Sequence, residues 1–220
     1  KTAPFVIGCG GFFVIGRMLE AAIHRIVFQL AGEALTGSVI RYAVYGGLMA
    51  ALCEETGRYI AMRFLVKPLD FPNAFMYGAG HGGVEAMLLC GVASINNIAS
   101  AVMINSGTMS AQLATLDAEK AADTAAALSA LWTTPSLTFF AGGVERIIAV
   151  VLHLSLSILV FQSIRKKAPM ELVRAYLFHF VIDSLSILLS AVASVWVVAL
   201  VVALVNGGAV LMARYACMEE

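Results

Sequence analysis

The sequence predicts an all-α polytopic membrane protein, a transmembrane helical bundle of about six spans, and three observations carry that prediction. Hydrophobic residues make up 60% of the chain and charged residues only 13%, far outside the composition of soluble domains. The mean hydropathy is +0.89. The apolar stretches also reach about 20 residues or more, the length a helix needs to cross a bilayer at a rise of about 1.5 Å per residue. Lys and Arg (14) balance Asp and Glu (14), so no basic surface exists to replace the counterions of a nucleic acid. Cys9, Cys53, Cys90 and Cys217 lie in or beside apolar runs, form no CxxC pair and read as buried thiols. No signal peptide is evident, and the chain starts at Lys1 rather than a methionine, so an N-terminal piece is expected to be missing, with room in it for one further span.

Taken in order, span 1 is expected from Ala3 to Leu30 and span 2 from Gly37 to Val66. Span 3 runs from Asn73 to Ile104, longer than a crossing requires, so it is tilted, kinked or extended past the lipid. Its Gly78-Ala79-Gly80-His81-Gly82-Gly83 stretch reads chiefly as a surface for close helix packing. Residues 105–134 are richer in Ser, Thr, Asp and Ala, with helical spacing from Thr115 to Leu131, and form an extracytoplasmic segment. Span 4 runs from Pro135 to Ile164, span 5 from Pro169 to Leu189 and span 6 from Ala191 to Ala213. The whole chain, 1–220, is expected to be one integral membrane domain.

Lys and Arg set the orientation. Arg63 and Lys67 follow span 2, Arg165, Lys166, Lys167 and Arg174 flank the turn from span 4 to span 5, and Arg214 follows span 6, so these ends are cytoplasmic. Glu33, Asp117, Glu119 and Asp123 fall in the outer loops, whereas Arg25 and Arg41 run against the pattern. A bacterial cytoplasmic membrane is the expected location.

Inside these apolar spans stand charges that require a purpose. Span 2 carries Glu54, Glu55 and Arg58, and on the most lenient scale each costs about 2.5 kcal/mol or more at the bilayer centre. Span 3 carries His81 and Glu85 on one helix face, span 4 carries Glu145, Arg146 and His153, and span 5 carries His179 and Asp183, again four apart. Counted from the cytoplasmic ends, Glu54 and Glu85 lie about 18 Å deep, His153 about 16, His179 about 15 and His81 about 12 Å. Four helices thus bring acids and imidazoles to one layer. A carboxylate beside imidazoles can activate water as a general base, and two or three histidines with a carboxylate can instead hold a catalytic zinc. The zinc version would use His81, His153 and His179 with Glu54 or Glu85. Structural readings stand beside these: Glu54 and Arg58 are spaced i,i+4 for an ion pair, Glu145 and Arg146 suit a structural pair, and His24 with Glu20 and Arg17 either borders the site or packs.

Glu54-Glu55-x-x-Arg58, Tyr77-x-x-x-His81 with Glu85, Glu145-Arg146 followed by His153, and His179-x-x-x-Asp183 resemble, in that order, the motifs of the YhfC family of bacterial intramembrane peptidases. They are more distantly similar to PrsW proteases, CAAX prenyl proteases and the Aph subunit of γ-secretase. The resemblance implies an intramembrane endopeptidase of glutamic type without a cofactor. Glu54 or Glu55 would activate water with help from His81, and His179 with Asp183 would occupy the oxyanion-stabilising position. Arg58, Glu85, Glu145, Arg146 and His153 would support them. Substrates would be membrane-embedded or membrane-proximal proteins, or lipidated peptides. The EExxR spacing is closer to the EExxK of PrsW than to the EExxxR of CAAX proteases, and Asp183 stands where an Asn is common. The family has also been described as metalloprotease-like, which keeps zinc open. A non-catalytic scaffold and a proton-coupled transporter are the other classes that such a polar layer can serve; no inverted repeat of the transporter kind is evident.

Overall fold

A computed structural model describes residues 1–218, which are helical throughout apart from short turns. Helix α1 spans Thr2–Thr36, α2 Val39–Phe64, α3 Phe71–Asn105, α4 Met109–Leu113, α5 Ala118–Thr133, α6 Ser136–Arg165, α7 Pro169–Ser190 and α8 Val195–Met218. Five of these, α1, α3, α6, α7 and α8, are long and apolar enough to cross a membrane. At 26 residues, about 39 Å, α2 is long enough too, but its charges take it out of that apolar class.

The distribution of polarity is that of a protein dissolved in lipid. Large apolar side chains such as Leu30, Leu204 and Leu211 lie exposed on the outside, whereas Glu54, Glu55, Arg58, His81, Glu85, His153 and His179 are buried. Helix α1 packs on the first half of α3, α3 on α6, α2 on α7, and α8 on α6 and α7. Turns therefore alternate between two ends of the bundle. Lys1 Nζ pairs with Asp70 Oδ2 at 3.0 Å, which ties the start of α1 to the turn between α2 and α3. Asp70 also caps α3 by accepting from the Asn73 backbone N–H. The Lys1 hydrogen bond, joined by that of Asn73, holds the Asp70 carboxyl below its usual range.

Several boundaries differ from the sequence expectation. Helix α1 continues past Leu30 to Thr36 with a kink at Ala31 (φ −140°, ψ 18°), because Ala31 to Thr36 contains no breaker stronger than Gly32. Ser38 then starts α2 by accepting from the Arg41 N–H. Pro135 precedes the first residue of α6, and α8 runs on to Met218. Helices α1 and α3 each contain a π-helical turn, Phe13–Leu19 and Met87–Gly91, the second starting two residues after Glu85. The turn in α3 answers the expectation of an irregular long span. Residues 105–134 carry α4 and α5, which pack chiefly on the second half of α3 and on each other.

The glycine run is a packing surface, as expected. A Cβ at Gly80 would lie 2.0 Å from the carbonyl oxygen of Phe5, and one at Gly8 would lie 2.1 Å from that of Tyr77. Backbone therefore meets backbone between α1 and α3, which sets how far His81 can reach inward. All four cysteines are free.

Candidate active site

The carboxylate of Glu54, on α2, accepts from His81 on α3, with Oε2 and Nε2 2.8 Å apart, and lies 4.0 Å from His179 Nε2 on α7. Glu55 turns the other way. Its Oε2 is 3.0 Å from Arg58 Nε and its Oε1 is 2.8 Å from His179 Nδ1. The expected i,i+4 pair of Glu54 with Arg58 is therefore replaced by an i,i+3 pair with Glu55. Helix geometry permits either spacing. What decides is α6, which offers Arg58 three more acceptors on the Glu55 side: the His153 carbonyl oxygen at 3.1 Å, the Ser157 hydroxyl, and His153 Nδ1 at 2.8 Å.

Those contacts also set the histidine tautomers. A guanidinium can only donate, so His153 Nδ1 accepts and Nε2 carries the proton, facing Glu85 Oε2 in close contact. Glu85 is held from its other oxygen by Arg146 at 3.3 Å, and Arg146 in turn by Glu145 at 3.1 Å. His179 Nε2 lies 3.4 Å from Asp183, which is partly exposed to a cavity. The rings of His81 and His153 are 4.8 Å apart and those of His153 and His179 5.4 Å, so the three imidazoles form one buried row.

All ten sequence-selected residues thus fall in one connected network across α2, α3, α6 and α7. His24 and Glu20 border it: His24 pairs with Glu20 at 3.2 Å and with the Tyr45 hydroxyl at 2.7 Å, on the wall of a cavity of about 330 Å³ that reaches Arg146 and Asp183. Sequence reasoning missed Ser157, Tyr45 and Asn206. The first two carry no ionisable signal that stands out, whereas Asn206 is an amide in an otherwise apolar part of α8 and could have been flagged.

One subset has the chemistry of a metal centre. Ligand atoms of Glu54, His81, Glu85 and His153 all lie within 4.8 Å of one another. Two imidazoles and two carboxylates suit zinc, with Arg146 behind Glu85 as an outer partner. His81 Nδ1 has no partner among the described residues. With Nε2 donating to Glu54, that ring offers Nδ1 as it stands, whereas His153, held by Arg58 at Nδ1, carries its proton on Nε2 and must lose it before it ligates. His179, included in the sequence-derived zinc set, is not in this group: its Nδ1 is on Glu55 and its Nε2 lies 3.4 Å from Asp183 and 4.0 Å from Glu54.

These features define a class, a helical membrane protein with a buried centre of glutamates and histidines. The chain belongs to the YhfC intramembrane metalloprotease family, whose model matches residues 1–202. It is similar to a Bacillus subtilis (strain 168) protein described as uncharacterized membrane protein YhfC, at 38% identity over 179 residues, 80% of this chain and 68% of that one. No solved structure matches it. Membership makes intramembrane protease the coarse function, with a bilayer as the setting and membrane proteins in general as substrates. The sequence-derived preference for a glutamic mechanism without a metal is not carried by these findings, which lean toward a metal through the family description and the four-residue cluster.

Proposed function

We propose that the chain is one peptidase domain that hydrolyses a peptide bond of a membrane-embedded or membrane-proximal protein at the Glu54 and His81 centre, with residues 105–134 on the extracytoplasmic side. The observation that supports it most directly is the convergence of Glu54, His81, Glu85 and His153, all buried, within 4.8 Å of one another. His81, Glu85 and His153 would hold a divalent metal, zinc by their donor chemistry, with Glu54 beside it as the base. Zinc in such a site lowers the pKa of a bound water and polarises a carbonyl.

The chain's own groups divide the remaining work. Glu54 Oε2, against His81 Nε2, receives the proton of the attacking water. His179 Nε2 lies between Glu54 and Asp183, and there it donates to the developing oxyanion or passes a proton to the leaving amine. Glu55 and Arg58 touch no reacting atom in this scheme. They fix His179 and His153, one from each end of their shared ion pair.

A metal-free version uses the same atoms, with Glu54 as general base and His81 as its partner, and the 2.8 Å contact between them favours keeping it as the second reading. Metal analysis separates the two. Protein purified in mild detergent is expected to contain close to one zinc per chain, to cleave transmembrane peptides, and to lose cleavage to a chelator and regain it with zinc. Cleavage that persists without metal establishes the glutamic version. A protein that cleaves nothing and co-purifies with one stable partner is a scaffold, and the proposal fails.

A further inference from the structure

We propose that Asn206, on α8, is a water-positioning residue of the hydrolytic centre, holding water in a small cavity against Glu85, Arg146, His153 and Asp183. The inference rests on the peptidase reading above, and it adds a fifth helix to the four that carry the site. Asn206 also lies beyond residues 1–202, the part matched by the family.

Asn206 is 3% exposed. Its Nδ2 donates to the Ile148 carbonyl oxygen at 2.8 Å. A carbonyl oxygen can only accept, so this bond fixes which way the amide points. Oδ1 is then a buried acceptor with no donor among the described residues. Buried acceptors find a partner in protein or in ordered water, because leaving one unmatched forfeits its hydration with no return.

The residue lines a cavity of about 40 Å³. One water requires roughly 10–15 Å³ and two to four polar partners, so there is space for water and not for a peptide or a lipid group. Glu85, Arg146, His153 and Asp183, with Glu145 and Ser186, supply the other polar walls, and Leu152 and Ile182 are among the apolar ones. Arg146 and Asp183 also line the larger cavity of about 330 Å³ beside His24, so the two spaces adjoin. Water drawn through the outer cavity comes to rest within reach of His153 and Glu85, where hydrolysis in a lipid interior needs it.

Hydroxyl-radical footprinting by X-ray pulse tests this without any substrate, since bound water generates the radical in place. The full chain in detergent is expected to be labelled at Leu152 and Ile182. Asn206→Leu should reduce that labelling roughly fivefold or more, and Asn206→Ser, which retains a hydroxyl, should restore it in part. With a cleavable peptide, Asn206→Leu should lower kcat roughly tenfold at unchanged KM, melting temperature and metal content. Wild-type protein unlabelled at both positions overturns the proposal whatever the variants do, and so does equal labelling in Asn206→Leu. Labelling as expected with no cleavage of any peptide sinks the peptidase reading and leaves the water site standing.

Discussion

Arg58 and Glu55 form a fully buried ion pair one helical turn apart, at 3.0 Å, and this pairing leaves Glu54 free for His81. The two adjacent glutamates therefore differ in kind. Glu54→Gln is expected to lower turnover by about 10²-fold or more while the melting temperature stays close to wild type. Glu55→Gln strands a buried guanidinium and should destabilise the fold by about 3–5 kcal/mol. Thermal unfolding in detergent together with a cleavage assay reads both. Loss of activity without loss of stability in the Glu55 variant would reverse the assignment.

Arg58 serves four acceptors from one planar fork: Glu55, the His153 carbonyl, His153 Nδ1 and Ser157. Lysine keeps the charge but loses that geometry. Arg58→Lys is expected to be destabilised by about 2 kcal/mol or more and to lose activity, because His153 is no longer held in one tautomer. A variant with wild-type melting and turnover would show that charge alone suffices there.

The metal centre predicts a split between histidines. His81→Ala and Glu85→Gln should lower the zinc content of purified protein well below one per chain. His179→Ala should keep its zinc and still lose about 10²-fold in turnover, since His179 faces Glu55 and Asp183. Elemental analysis beside a cleavage assay decides. Loss of metal in the His179 variant would return that residue to the ligand set.

Two glycines three residues apart should behave in opposite ways. Gly80→Ala places a Cβ 2.0 Å from the Phe5 carbonyl oxygen, so α1 and α3 must separate, and loss of folded protein is the expected result. At Gly83 a Cβ meets nothing within 4 Å, and Gly83→Ala should be neutral or stabilising by roughly 0.5–1 kcal/mol through helix propensity. Detergent-solubilised yield and melting temperature compare them directly.

The sequence carried most of the bundle and the membership of its polar layer, for physical reasons. Charges in an apolar helix must face inward, and rise per residue converts position into depth, so Glu54, Glu85, His153 and His179 could be brought to one level before any contact was known. Partner choice was less legible. Both spacings of Arg58 suit a helix, and the choice of Glu55 over Glu54 depends on Ser157 and the His153 carbonyl, which come from α6 about 100 residues later. Asn206 was passed over because a neutral amide in an apolar helix carries none of the expense that drew notice to the acids. Zinc set against glutamate could not be separated, since the same His and Glu residues serve both.

The charge content that sets α2 apart from the other long helices bears on how the protein enters its membrane. Glu54, Glu55 and Arg58 each add about 2.5–3.5 kcal/mol to the partitioning of a lone helix, so α2 has no reason to leave the translocon by itself. Glu54 finds His81 on the next helix, but the other compensating groups, His153 and Ser157 on α6 and His179 on α7, are synthesised long afterwards. A chain ended before Ser136 is therefore expected to leave α2 uninserted, which glycosylation mapping of the loop at residues 67–70, just past α2, can read. Biogenesis and assembly of the centre would then be coupled, with α2, among the first helices to be made, settling into lipid once α6 and α7 have followed it.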